Sequence, residues 1–221
     1  MAGLVPAIHV FVSATKVVDG RHKAGHDGRV GINAGWYKIP MGKDMVEQVT
    51  ADEVLPLKRR HVLDALMQLY QHDFSEYAPL NTTHGEVDEN GRFEYRWLDS
   101  YWHEPERLPL LIRADDRIAG FVLVNQWSAL DRPLDHAIAE FFVLRKYRRA
   151  RVGTRAAHLV FRHEPGRWEV PVASYNQAAL AFWRGAVASL PQEAEERVGG
   201  GQRWTGTVLC FSNQASGIAP G

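Results

Sequence analysis

The sequence predicts an α/β fold: a mixed, mostly antiparallel central sheet with flanking helices. Three observations carry this. The stretch Ile138–Thr154 starts as an apolar strand, breaks into a basic loop and resumes as a helix, and another strand follows at Trp168. Upstream, strand-like runs are separated by short turns, as antiparallel neighbours require. Two other segments place apolar residues at helical spacing.

Composition bounds the rest. The chain has 221 residues, 45% of them hydrophobic, enough for one core. Lys+Arg and Asp+Glu number 26 each, so no bulk positive field invites nucleic acid. The single Cys210 lies in an apolar run, which excludes a disulfide framework and a Cys-rich metal site. It reads as a small buried hydrophobe. No run approaches the ~20 apolar residues of a membrane span. His22 and His26 have ligand-like spacing, but nothing suggests a third ligand, so no metal is expected.

Residues 1–44 show no periodicity. They are expected to lie outside the folded domain, either disordered or annexed by a start codon placed too far upstream. The segments Gly3–Phe11 and Asp19–Gly28 resemble a translated intergenic repeat of bacterial genomes, which would put the biological start at Met41 or Met45. Val12-Ser-Ala14 imitates a signal cleavage site, but no basic region precedes it and Pro6 and His9 interrupt the apolar part. A cytoplasmic protein is expected. Without its first 44 residues the chain carries 20 basic and 23 acidic residues, a slightly acidic body. Residues 45–213 read as one domain, and 214–221 as a flexible tail.

Within the domain, Val46–Thr50 is expected to be a short strand. Pro56, a good first helical residue, should open a helix with Val62, Leu63, Leu66, Met67, Leu69, Tyr70 and Phe74 on its apolar face. Asn90-Gly91 marks a turn. Phe93, Tyr95 and Trp97 alternate with charged residues, an extended segment with an aromatic face. Tyr101–His103 suggests a short helix. Leu108–Arg113, Arg117–Trp127 and Ala137–Leu144 form an antiparallel meander, turning first at Asp115-Asp116. The helix from Val152 ends at Pro165-Gly166. Trp168–Ala173 follows as a strand parallel to Ala137–Leu144. Asn176 caps a last helix, with Phe182 and Trp183 expected in the core. Trp204–Phe211 pairs back on Glu195–Val198.

Between Arg145 and Arg155 there are six basic residues and no acid. A basic turn entering a helix N-terminus is an anion site, because the first N–H groups are unpaired and the dipole adds positive charge.

The element order, together with three motifs, resembles the Gcn5-related N-acetyltransferase (GNAT) superfamily, in a little-characterised bacterial branch. The motifs are Glu140-Phe-Phe-Val143, the loop Arg148-Arg-Ala-Arg-Val-Gly153, and Asn176-x-x-Ala179-x-x-Phe182-Trp183. The resemblance implies a GNAT-like acyl-CoA N-acyltransferase fold and a transferase with acetyl-CoA as co-substrate. It implies transfer of the acetyl group to an amine of a small molecule or protein, by direct attack on the thioester, in a monomer or homodimer. The alternative is a non-catalytic CoA-binding or interaction module of the same fold.

For this sequence the resemblance implies a cofactor site of Phe142, Val143, Leu144, Arg148, Arg149, Ala150, Arg151, Val152, Gly153, Thr154 and Asn176. A backbone N–H near Phe142–Leu144 would polarise the thioester carbonyl. Glu140, an acid in an apolar strand, is the candidate general base, with Asp73 and Glu76 second choices and His136 a distant third. Asp73, Glu76 and Tyr77 would line the acceptor side. Two positions depart from the family pattern. Arg151 stands where glycine is usual, which is expected to require an ordinary helical backbone there. Trp183 stands where a proton-donating tyrosine is usual.

Overall fold

The computed structural model describes residues 9–10, 53–200 and 204–214. In chain order the elements are β1 (His9–Val10), β2 (Glu53–Pro56), α1 (Arg60–Ser75), β3 (Leu108–Ala114), β4 (Arg117–Asn125) and β5 (His136–Val143). They continue with α2 (Val152–His163), β6 (Arg167–Ala173), α3 (Gln177–Ala188), β7 (Ala194–Gly200) and β8 (Thr205–Ser212). The sheet runs β2-β3-β4-β5-β6-β8-β7, with β1 paired to β5 off this path. The β5–β6 and β1–β5 pairs are parallel and the others antiparallel.

The meander, the β5-α2-β6 unit and the β7–β8 hairpin match the expected order. Asp115 and Asp116 both take left-handed φ, 48° and 59°, as a two-residue turn between twisted strands requires. Gly91 follows Asn90 at φ 71°. The expected strand at Val46–Thr50 and most of the 1–44 extension lie outside the described residues. The Pro56 expectation is corrected: Pro56 ends β2 opposite Leu110, and α1 begins at Arg60. The backbone stays extended past the proline because Leu57 N–H donates to Pro109 O at 2.8 Å. That inter-strand bond outweighs the local preference for starting a helix. Leu69, expected on the apolar face, is exposed.

The sheet is covered on both faces. One face packs α2 and α3 through Ile138, Phe141, Val143, Val152, Ala156, Val160, Phe161 and Trp183. The other packs α1 through Leu63, Leu66, Met67, Tyr70, Phe121, Leu123, Ala139 and Phe142.

Two irregularities in β5 prepare the site. Opposite β4, Leu123 faces Glu140 and Val124 faces Ile138, so Ala139 is one residue too many. Without this bulge Ile138 and Glu140 would share a face. With it, Ile138 turns toward α2 and Glu140 toward α1. Opposite β6, pairing stops after His136–Trp168 and Ala137–Glu169, so the two parallel strands diverge beyond Ala137. His9–Val10 pairs with Glu140–Phe141 on this open side.

Segment 79–107, between α1 and β3, lies along α1. Gln68 holds it in two directions: its Nε2 donates to Phe93 O at 3.0 Å and its Oε1 accepts from Phe93 N at 2.8 Å. Gln71 Nε2 donates to Glu94 O at 3.2 Å, and Arg60 pairs with Asp99. The aromatic alternation of this segment is real but forms no strand, since its backbone bonds go to glutamine side chains.

Candidate active site

The basic loop follows β5. Arg145–Tyr147 make one 3-10 turn, Arg148 is extended, and α2 starts at Val152. Arg149 and Arg151 both have positive φ, 65° and 57°, with Ala150 between them on the negative side. Alternating signs of φ turn successive N–H groups toward one concavity, a nest suited to an anion. The expectation for Arg151 is therefore corrected. Its backbone is left-handed (φ 57°, ψ 6°), the conformation that glycine adopts most easily. Its side chain is exposed and makes no cap hydrogen bond, and the first turn of α2 carries no acid. The first intrahelical bond of α2 is Arg155 N to Arg151 O. The N–H groups of Val152, Gly153 and Thr154 thus have no intrahelical acceptor.

These groups border a pocket of about 210 Å³ lined by Phe141, Val143, Arg148, Arg149, Arg151, Gly153, Thr154 and Phe182. Gly153 makes room for it: a Cβ there would lie 3.2 Å from Phe182 Cε2 and 3.7 Å from Phe141 Cε1. Arg149 and Arg151, a helix N-terminus and an aromatic wall suit a ligand with an anionic end and an apolar end, whereas the Arg148 guanidinium is taken up by Asp73 and the Val143 carbonyl on the α1 side.

The strand edge above the pocket has defined polarity. Leu144 N–H donates to Ala119 O at 2.8 Å. Alternation along an antiparallel pair then directs the Phe142 N–H toward β4 as well and leaves the Val143 N–H on the diverging side. Arg148 Nε donates to Val143 O at 2.7 Å, which fixes where the Val143 carbonyl points. The Phe142 side chain faces α1, and Arg148 lies 5.7 Å from its ring centroid.

The residues 63–186 match the model of the acetyltransferase (GNAT) family, more than half of the chain. The chain belongs to that family. Among solved structures it is similar to an acetyltransferase from Thermus thermophilus, at 13% identity over 72% of this chain and 94% of that one, with a TM-score of 0.48. It is similar to a probable GNAT acetyltransferase from Chromobacterium violaceum at 19% identity, over 86% and 96% of the two chains, with a TM-score of 0.44. It is also similar to a putative acetyltransferase from Salmonella typhimurium solved with acetyl-CoA, at 13% identity, over 78% and 98%, with a TM-score of 0.46. A comparison with curated proteins gave no match.

The other face of β5 carries the candidate base. Glu140 is fully buried. Tyr70 of α1 donates to its Oε2, and Tyr95 of the 79–107 segment donates to its Oε1 at 2.9 Å. Burial first, and then the Glu140 charge, push both phenols well above their usual range. Tyr101 and Tyr175 are raised by the same two causes. Tyr175, which follows β6, packs on Tyr77 with ring centroids 5.4 Å apart, so the two rings bridge from the β6 side to the α1 side.

Asp73 is buried and bound to the loop: Arg145 Nη2 donates to its Oδ1 at 2.5 Å and Arg148 Nη2 to its Oδ2 at 2.6 Å. Its charge is thus balanced by two arginines of the loop. Burial pulls the Arg148 guanidinium down, against the upward pull of Asp73. Glu76 is exposed at the end of α1, next to Tyr77. Asn176 caps α3, its Oδ1 accepting from Ala179 N at 3.0 Å. His136 packs on Trp168 at the opposite end of β5 from the pocket. Trp183 is core, 5.0 Å from Phe141, and among the described residues its indole N–H has no partner.

Sequence reasoning missed Tyr70 and Tyr95 as partners of Glu140, and missed Phe182 as a wall of the pocket. One signal was present: a tyrosine on the buried face of a helix needs a partner for its hydroxyl.

Proposed function

We propose that this acetyltransferase takes acetyl-CoA as co-substrate and transfers the acetyl group to an amine by direct attack on the thioester. The pocket at the β5–β6 divergence carries the reading. Arg149, Arg151 and the α2 N-terminus fit the diphosphate, and the Phe141–Phe182 wall fits the apolar arm. The Val143 N–H faces the position a thioester carbonyl would take in the gap. The two reactants would meet where β5 leaves β6, so much of the acceleration would come from proximity.

In the proposed reaction the neutral amine attacks the carbonyl carbon and the C–N bond forms. The C–S bond then breaks and the thiolate leaves to be protonated. The amine proton passes to Glu140, directly or through water. Glu76 and Tyr77 line the acceptor side, which accepts a small-molecule or protein amine. Asp73 belongs on the other side of the ledger, as a support for Arg148. No helix of the described residues is long and apolar enough to cross a membrane.

Saturating acetyl-CoA should raise the melting temperature. An amine panel scored by free-thiol release should then find the acceptor. No stabilisation would count against the cofactor assignment. Burial of Trp183 away from solvent favours a second reading, a CoA-binding module without turnover. Stabilisation by acetyl-CoA with no thiol release from any amine would support that reading instead.

A further inference from the structure

The 79–107 segment reaches into the site at one point, the hydroxyl of Tyr95. Gln68 fixes the height of that segment on α1 through its reciprocal pair of bonds with Phe93, two residues before Tyr95. From α1 itself, Tyr70 reaches the other oxygen of the same carboxylate. Glu140 therefore has each oxygen held by a phenol from a different element. Both phenols lie on the face of β5 opposite the anion pocket.

We propose that Tyr70 and Tyr95 are positioning residues that orient Glu140 and keep it ionised in a buried setting, with the 79–107 segment acting as a strap that delivers Tyr95. This rests on the reading of Glu140 as the base. The physical argument is a competition. Burial disfavours the carboxylate, whereas hydrogen bonds donated to it favour the charged form. A phenol remains a donor across the neutral range, so two of them supply a constant bias toward ionisation. Other groups also face Glu140. Tyr101 and Tyr175 act on it through space, and Arg107 lies over the Tyr101 ring at 5.4 Å. In the β1 pairing the backbone of His9 lies in register with that of Glu140.

Tyr95→Phe removes one donor and keeps the ring. Infrared titration of the full-length protein, as a difference against Glu140→Gln, reads the Glu140 carboxyl band directly. In Tyr95→Phe the protonated band should persist to a pH about one unit higher, since a hydrogen bond to a charged group is worth that order. Gln68→Leu, which releases the strap, should move it in the same direction. Acetyl-CoA stabilisation should be unchanged in both variants, because the pocket lies on the other face. An unmoved band in both variants would overturn the proposal, whatever their melting temperatures. The underlying reading fails separately: a Glu140→Gln protein acetylating amines at the wild-type rate would remove Glu140 as the base while leaving the titration to judge the clamp.

Discussion

Arg148 and Asp73 hold one another out of solvent, Nη2 to Oδ2 at 2.6 Å, with side chains 10% and 7% exposed. The same guanidinium holds the Val143 carbonyl through its Nε. One arginine thus ties α1, the end of β5 and the basic loop together. Asp73→Ala should cost about 3–5 kcal/mol in urea unfolding, because it leaves a buried guanidinium without its counter-charge. Arg145→Ala removes the partner that is 66% exposed and should cost about 1 kcal/mol or less. Equal losses from the two variants would show that the pair is not buried as described.

Gly153 sets the depth of the pocket. Gly153→Ala would bring a Cβ to 3.2–3.3 Å from the Phe182 ring, which is partly exposed and has room to yield. A cost of about 1 kcal/mol and a smaller acetyl-CoA thermal shift are expected. Gly153→Trp fills the space and should abolish the shift. Wild type at about one hundred times its dissociation constant should gain about 2.7 kcal/mol, so the loss is measurable. An undiminished shift in Gly153→Trp would move the cofactor elsewhere.

What the sequence reveals and what it hides divide by distance along the chain. The basic loop, the α2 N-terminus and the Asn176 cap are local, so residue spacing is enough to find them. The clamp on Glu140 joins residues 70 and 45 positions apart, and the Asp73–Arg148 pair spans 75. No local pattern encodes such pairings. The bulge at Ala139 is hidden for another reason: it changes which face a side chain takes without changing the apolar run that marks the strand. Pro56 misleads because a backbone bond from the next residue to β3 decides its state.

Arg151 occupies a left-handed position without the freedom of glycine. A non-glycine residue there carries roughly 1–2 kcal/mol of strain, and glycine offsets part of that relief through its greater unfolded-state entropy. Arg151→Gly should therefore be neutral or stabilising by up to about 1 kcal/mol, while preserving the nest. Arg151→Val, β-branched at the same φ, should destabilise and weaken acetyl-CoA binding. Chemical unfolding of the two variants checks this. A Val variant as stable as the Gly variant would mean that the loop does not hold φ 57° in solution.

The buried phenols predict an alkaline limit to stability. Tyr70 is fully buried, and burial with the Glu140 charge raises its pKa above the ordinary value near 10. Its contribution is fully present below that value. Above it, the unfolded chain releases a proton that the folded protein keeps, so stability falls as pH rises. The slope is about 1.4 kcal/mol per pH unit for this one group until its folded pKa is reached. Tyr95 and Tyr101 act in the same direction. Urea midpoints should therefore decline from about pH 10 upward, and Tyr70→Phe should flatten the decline. Phenolate absorbance gives an independent reading. The Tyr70 signal should appear only as the protein unfolds. If all seven tyrosines ionise together near pH 10 in the folded state, the hydroxyl of Tyr70 is in contact with water and is not held on Glu140.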